Sequence, residues 1–171
     1  MTENRRKRNK AGIIWLFLML IWLTVIFSFS AKKADESTVM SHSVGKLIGN
    51  IVIPEYRSWP EDKQEQFAEK IDFPVRKCAH ASEYAVLGIL VLGTAYSFSE
   101  DRGRKIILLC WCVGTAYAGT DESHQLFVPG RICQFRDVCI DSAGVLTGLI
   151  LFSLIKHQIA KHSEKKKTCK N

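Results

Sequence analysis

Apolar runs long enough to cross a bilayer recur four times in this chain, at about residues 11–29, 78–98, 105–127 and 138–155. About 20 apolar residues span a hydrocarbon core. The last three runs carry ionisable residues at one end. Lys77, His80, Glu83 and Tyr84 open the second. Asp121, Glu122, His124 and Gln125 close the third and lead on to Arg131, while Asp137 and Asp141 open the fourth. A charged group within a bilayer costs roughly 2.5–3.5 kcal/mol on insertion scales unless it is paired or wetted. Three segments bearing that cost at one membrane face imply a shared site.

The positive charge supports that arrangement. The formal charge of +7 is concentrated at the two ends, in Arg5, Arg6, Lys7, Arg8 and Lys10, and in Lys156, Lys161, Lys165, Lys166, Lys167 and Lys170. With the basic N-terminus inside, the first run leads outward and the second returns. The link with Arg102, Arg104 and Lys105 is then inside, and so is the basic tail 156–171. All three basic clusters fall on one side, as the positive-inside rule requires. The polar ends of runs two, three and four then share the extracytoplasmic face.

Composition excludes several classes. Mean hydropathy near zero averages very apolar with very charged stretches. The basic runs abut apolar segments, which fits anionic lipid headgroups, and no nucleic-acid motif accompanies them. Run one is too long for a signal-peptide core and lacks an A-x-A site, so it reads as a retained anchor. The six cysteines form neither a disulfide framework nor a zinc pattern, since Cys78, Cys110 and Cys112 lie in apolar runs and Cys169 in the tail. Cys133 and Cys139 alone lie near one another in a polar region. There is no G-x-S-x-G and no Walker motif.

The long connection 30–76 holds two helical patterns. Met40, Val44, Leu47, Ile48, Ile51 and Val52 recur at helical spacing until Pro54. Ser58-x-x-Glu61 is a capping-box pattern, with Phe67 and Ile71 on one side of the charged stretch that follows. Two short amphipathic helices at the outer membrane surface are expected, folded over the polar site or serving as a plain ectodomain loop.

The polar residues admit four chemistries. On run two, Lys77, His80 and Tyr84 share a helical stripe, with Glu83 about 8 Å into the segment at 1.5 Å per residue. On run three, Asp121, His124 and Gln125 share a face while Glu122 points partly away. Asp137 and Asp141 align one turn apart. The first reading is an anion site, with Arg76, Lys77, Arg131 and Arg136 holding a phosphate or carboxylate. His80 or His124 beside a carboxylate is then a general acid or base. The second is a metal site from His80-x-x-Glu83 and Asp121-x-x-His124, completed by Asp137 or Asp141. The third is a proton path. The fourth is a mutually neutralised structural network. Gly144-x-x-x-Gly148, like Gly88, Gly93, Gly114 and Gly119, reads as close helix packing within the chain.

RKCAHASEYAVLG (76–88), DESHQLFVPGRICQFRDVCIDSAGVLTG (121–148) and Ser28–Ser30 resemble the VanZ-like family of bacterial membrane proteins. The resemblance runs from run one to run four. It points to Lys77, His80, Glu83, Tyr84, Asp121, Glu122, His124, Gln125, Arg131, Asp137 and Asp141 as functional positions. It implies a cell-envelope role, the family being named for a member associated with resistance to the glycopeptide teicoplanin.

The expectation is a single domain over 1–171, an all-α integral membrane four-helix bundle with both termini cytoplasmic and the two amphipathic helices in its extracytoplasmic loop. Its partners are membrane lipids and an anionic or lipid-linked envelope precursor, not nucleic acid. No cofactor is called for, a divalent metal being the minority alternative. His80, Glu83, Asp121, Glu122, His124, Asp137 and Asp141 are the catalytic candidates, and Lys77, Tyr84, Gln125 and Arg131 the substrate-binding ones. Set against this envelope enzyme or binder stands a noncatalytic membrane protein whose polar network locks its helices.

Overall fold

The computed structural model describes residues 3–168; Cys169 and Lys170 lie outside them. The described residues are helical throughout their regular structure. Helix α1 is Glu3–Ser30, α2 is Ala34–Val52, α3 is Glu61–Phe98, α4 is Arg104–Gln125 and α5 is Phe135–Thr168, with a 3₁₀ turn at Tyr56–Ser58. Helices α1, α3 and α5 are long and apolar enough to cross a membrane. The 22 residues of α4 are long enough but less apolar, because Asp121 and Glu122 sit in its last two turns. Length and composition thus support three spanning helices, and α4 runs back between the ends of α3 and α5.

Helix α3 is central and packs against α1, α2, α4 and α5. Lipid tails are as apolar as leucine, so helices in a bilayer associate through close contact rather than through removal of apolar surface from water. The small residues expected to serve this purpose do so. Gly144 and Gly148 of α5 lie against the carbonyls of Ala81 and Ala85 on α3, and Gly88 of α3 lies against the carbonyl of Val145. Any side chain there would collide with backbone. Gly119 is different, since nothing lies within 4 Å of where its Cβ would be. Tyr84, Leu87, Leu92, Val145 and Leu149 fill the interior, while Ile13, Phe17, Leu109, Val113, Ile150 and Leu154 are exposed on the outer surface.

The connection 30–76 departs from expectation. Only α2 is a separate helix. The charged stretch after Pro60 is the beginning of α3, which continues through Pro74 to Phe98. Pro74 lacks the N–H that would bond the Lys70 carbonyl, and the helix tolerates the loss. The capping box does not form, because Pro60 occupies the N-cap and the Ser58 hydroxyl donates to the Glu55 carbonyl at 2.7 Å.

Helix α2 docks on the extension of α3 through its small residues, not its apolar ones. Ser41, Gly45 and Gly49 are buried. Gly45 faces Ala68 and Gly49 faces the Tyr56 ring, while Tyr56, Trp59 and Phe67 cluster at the turn. Val39, Leu47, Ile51 and Val52 are left exposed. A polar or small face against protein and an apolar face turned outward is the arrangement of a helix lying in a membrane interface.

At the far end, α5 passes well beyond residue 155. Its 34 residues measure about 51 Å against roughly 30 Å of hydrocarbon, and the basic stretch from Lys156 is therefore a helical extension.

Candidate functional site

The N-terminal ends of the apolar halves of α3 and α5 meet the C-terminal end of α4, and the polar residues divide into two layers there. One layer lines an open groove of about 780 Å³ between α2 and α3. Its walls are apolar, with Val39, Met40, Val44 and Ile48 from α2 and Ile71 and Val75 from α3. Its polar rim is Lys32, Arg76, His80, Glu83 and Arg131. The other layer is buried behind α3, between α3, α4 and α5.

The rear layer is paired in part. Lys77 Nζ donates to Asp137 Oδ2 at 2.6 Å, joining α3 to α5. The backbone N–H of Gln134 donates to Glu122 Oε1 at 2.7 Å, tying the α4–α5 link to α4. Glu122 is therefore buried and turned inward, not partly away as the spacing suggests. Gln125 Nε2 donates to Ser30 Oγ at 3.1 Å, fixing the end of α1. The fully buried Tyr84 hydroxyl and the Asp121 carboxylate are neighbours, yet Tyr84 Oη and Asp121 Oδ1 make no hydrogen bond of good geometry. Asp137 Oδ1 and Asp141 Oδ1 are likewise buried without a partner.

His80 joins the layers. It lines the groove, and its Nδ1 lies 3.9 Å from Asp141 Oδ1. That is too long for a hydrogen bond, so the ring and the carboxylate face one another without direct contact. On the groove side, Arg76 pairs with Asp72 at 2.6 Å, and Asp72 also accepts from the Ser41 hydroxyl of α2. Arg131 Nε donates to the Lys32 carbonyl at 3.3 Å, and among the described residues no carboxylate forms an ion pair with it. Burial and the nearby Arg76 guanidinium push the Arg131 guanidinium below its ordinary range. Two guanidiniums that repel one another at the rim of an apolar groove form a place where a multi-oxygen anion is stabilised.

Of the residues singled out by sequence, Arg76, His80, Glu83 and Arg131 reach the groove. Lys77, Tyr84, Asp121, Glu122, Gln125, Asp137 and Asp141 stand behind it. His124 is on neither surface of this arrangement, as its ring packs on Phe27 of α1 with centroids 4.6 Å apart and its Nδ1 is buried without a partner. Arg136 is exposed, stacks on Phe73 and points away. Sequence reading passed over Lys32 and the Asp72–Arg76 pair. The i, i+4 spacing of Asp72 and Arg76 was the available signal, and it is meaningful only once both residues are known to be helical. Among the described residues, no group of three His, Cys, Asp or Glu side chains is arranged to hold a metal ion. The described cysteines are free.

Comparison with curated proteins and with solved structures returns no match. A family model described as VanZ/LLP1 matches residues 15–156, which takes in every helix of the bundle and both layers of the site, and the chain belongs to that family.

Proposed function

We propose that this protein binds an anionic, lipid-linked component of the bacterial cell envelope at the outer boundary of the membrane. The hydrocarbon chain lies in the groove between α2 and α3, and Arg76, Arg131 and Lys32 hold the phosphate or carboxylate head. The observation that carries the reading is the adjacency of Arg76 and an Arg131 that forms no ion pair among the described residues, at the rim of an apolar groove. The groove opens beside an apolar helix face, so a lipid can enter sideways from the bilayer. His80, with Asp141 behind it, and Glu83 are the groups placed to move a proton at the head. The chain crosses four times in this reading, with α4 as the fourth span and both termini cytoplasmic. Basic residues at the other end, among them Arg8, Arg102, Arg104, Lys105, Lys156 and Lys161, support that orientation. A component of this chemistry would also connect the protein to teicoplanin susceptibility, because that glycopeptide acts on cell-wall precursors.

A specific observation separates the rear layer from this role. Lys77–Asp137 and Glu122–Gln134 are closed pairs between elements, so they serve as positioning contacts. The test is binding of a fluorescent long-chain alkyl phosphate to the purified full chain in nanodiscs. Arg131→Gln is expected to weaken binding about tenfold, the size of one lost charge-assisted contact, with the thermal transition unchanged. An alkyl trimethylammonium probe is expected not to bind. Equal binding of the phosphate probe by Arg131→Gln and the unaltered protein would overturn the assignment.

A further inference from the structure

At the opposite end of the bundle a second cavity, of about 310 Å³, is lined by Arg8 of α1, Arg102 of the α3–α4 link and Lys156 of α5. We infer that it is a phosphate-binding site on the cytoplasmic side, separate from the groove and independent of what the groove binds.

Three cations from three elements converge there on aromatic walls. The Trp15 ring meets Phe152 edge-on with centroids 5.6 Å apart, and Tyr96 packs on the same ring at 6.1 Å. The Arg102 guanidinium lies 4.4 Å from the Tyr96 centroid and the Lys156 ammonium 5.6 Å from that of Phe152. Stacking of this kind holds cations in place while leaving hydrogen-bond donors free. Gly93 forms part of the lining, and a side chain there would strike Trp15 at 2.5 Å.

The charge is incompletely answered by the protein. Among the described residues, the carboxylate bonded to the trio is Glu100, which receives Arg8 Nη1 and Nη2 at 3.3 and 3.2 Å. Its side chain is 85% exposed, and such pairs contribute little in water. Asp101, next along, accepts instead from the Gly103 N–H. Arg8 Nε is buried with no partner. Arg102 gives part of its guanidinium to the carbonyls of Ser99, Asp101 and Tyr96, which holds it at the rim. A tetrahedral anion with several oxygens suits donors arriving from three directions, whereas a carboxylate offers two oxygens in one plane. The site lies where basic residues of a multi-span protein meet the anionic leaflet, so the phosphate is that of a lipid headgroup or a free phosphate.

The experiment is native mass spectrometry of the full chain, extracted from vesicles of equal phosphatidylglycerol and phosphatidylcholine. A parallel thermal-shift series uses millimolar inorganic phosphate. Preferential retention of phosphatidylglycerol that falls about tenfold in Arg8→Gln/Lys156→Gln, and persists in Arg131→Gln, assigns a lipid headgroup. A rise in transition temperature with phosphate, absent in that double variant, assigns free phosphate. Should the double variant fail to fold, Lys156→Gln alone serves, its ammonium being exposed, with a smaller loss expected. A variant that retains phosphatidylglycerol and responds to phosphate as the unaltered protein does would overturn the site. So would the absence of both effects in the unaltered protein. Failure of the groove would appear separately, as loss of alkyl phosphate binding with this retention intact.

Discussion

At the scale of single residues, the pair Lys77–Asp137 decides how much the rear layer matters to folding. Both side chains are largely withdrawn from solvent, at 21% and 17% exposure. Removing one partner of such a pair leaves a charge without compensation, and replacing both by apolar groups is often neutral. Asp137→Leu is expected to lower stability by roughly 2–4 kcal/mol, and Lys77→Met/Asp137→Leu to recover most of it. Thermal unfolding of the purified protein in detergent checks this, and a double variant no better than the single one contradicts it. The behaviour of Arg131 is predicted to be the opposite. Its neighbour Arg76 opposes its charge, so Arg131→Gln should leave the transition temperature unchanged while weakening anion binding about tenfold. Lys46, outside the spans, is held above its ordinary range by Glu65. A raised folded-state value for a lysine means that the stabilisation is present below about pH 10.5 and is lost as the pH rises through the folded value. Protection of the α2 amides, measured against their intrinsic exchange rate, should therefore fall above that pH, and in Lys46→Met it should show no such fall.

At the scale of elements, the α3–α5 seam is the joint on which both layers depend. Gly148 lies against the Ala85 carbonyl and Gly144 against that of Ala81, so the helices touch backbone to backbone. Gly148→Leu is expected to separate them and cost several kcal/mol, of the order of a severe overpacking. The loss would be read as aggregation in size-exclusion chromatography. Gly119→Leu, with open space around it, should elute as the unaltered protein does. This contrast tests the packing, because sequence gives the two glycines similar standing. Helix α2 teaches the same lesson from its other face. Its apolar periodicity is plain in Met40, Val44, Ile48 and Val52, yet the docking face is Ser41, Gly45 and Gly49. Periodicity marks a stripe, but it does not say whether the stripe meets protein or lipid. In water the answer is protein; at a membrane boundary the apolar stripe has lipid available, and small residues permit the closer contact with α3.

At the scale of the whole molecule, the polar groove and the aromatic cation pocket stand at opposite ends of the bundle, and the orientation proposed above separates them across the membrane. Cys133, in the α4–α5 link, and Ser163, in the extension of α5, report the two sides. In a variant whose only cysteine is Cys133, an impermeant maleimide is expected to label intact cells. With Ser163→Cys as the only cysteine, labelling should require permeabilisation. Labelling of Ser163→Cys but not of Cys133 without permeabilisation would remove α4 from the set of spans.

The order of apolar runs, the basic clusters and the gathering of Lys77, His80, Asp121, Asp137 and their neighbours toward one end follow from the sequence by itself. Hydrocarbon length and the cost of buried charge act along the chain axis, and both can be counted residue by residue. The division of those residues into a groove rim and a buried layer was settled by tertiary structure alone. So were the inward turn of Glu122, the position of His124 against Phe27, and the continuity of α3 through Pro74. Rotation of a helix about its own axis depends on which neighbour its small residues admit, and that is a property of two surfaces meeting, not of either strand of sequence.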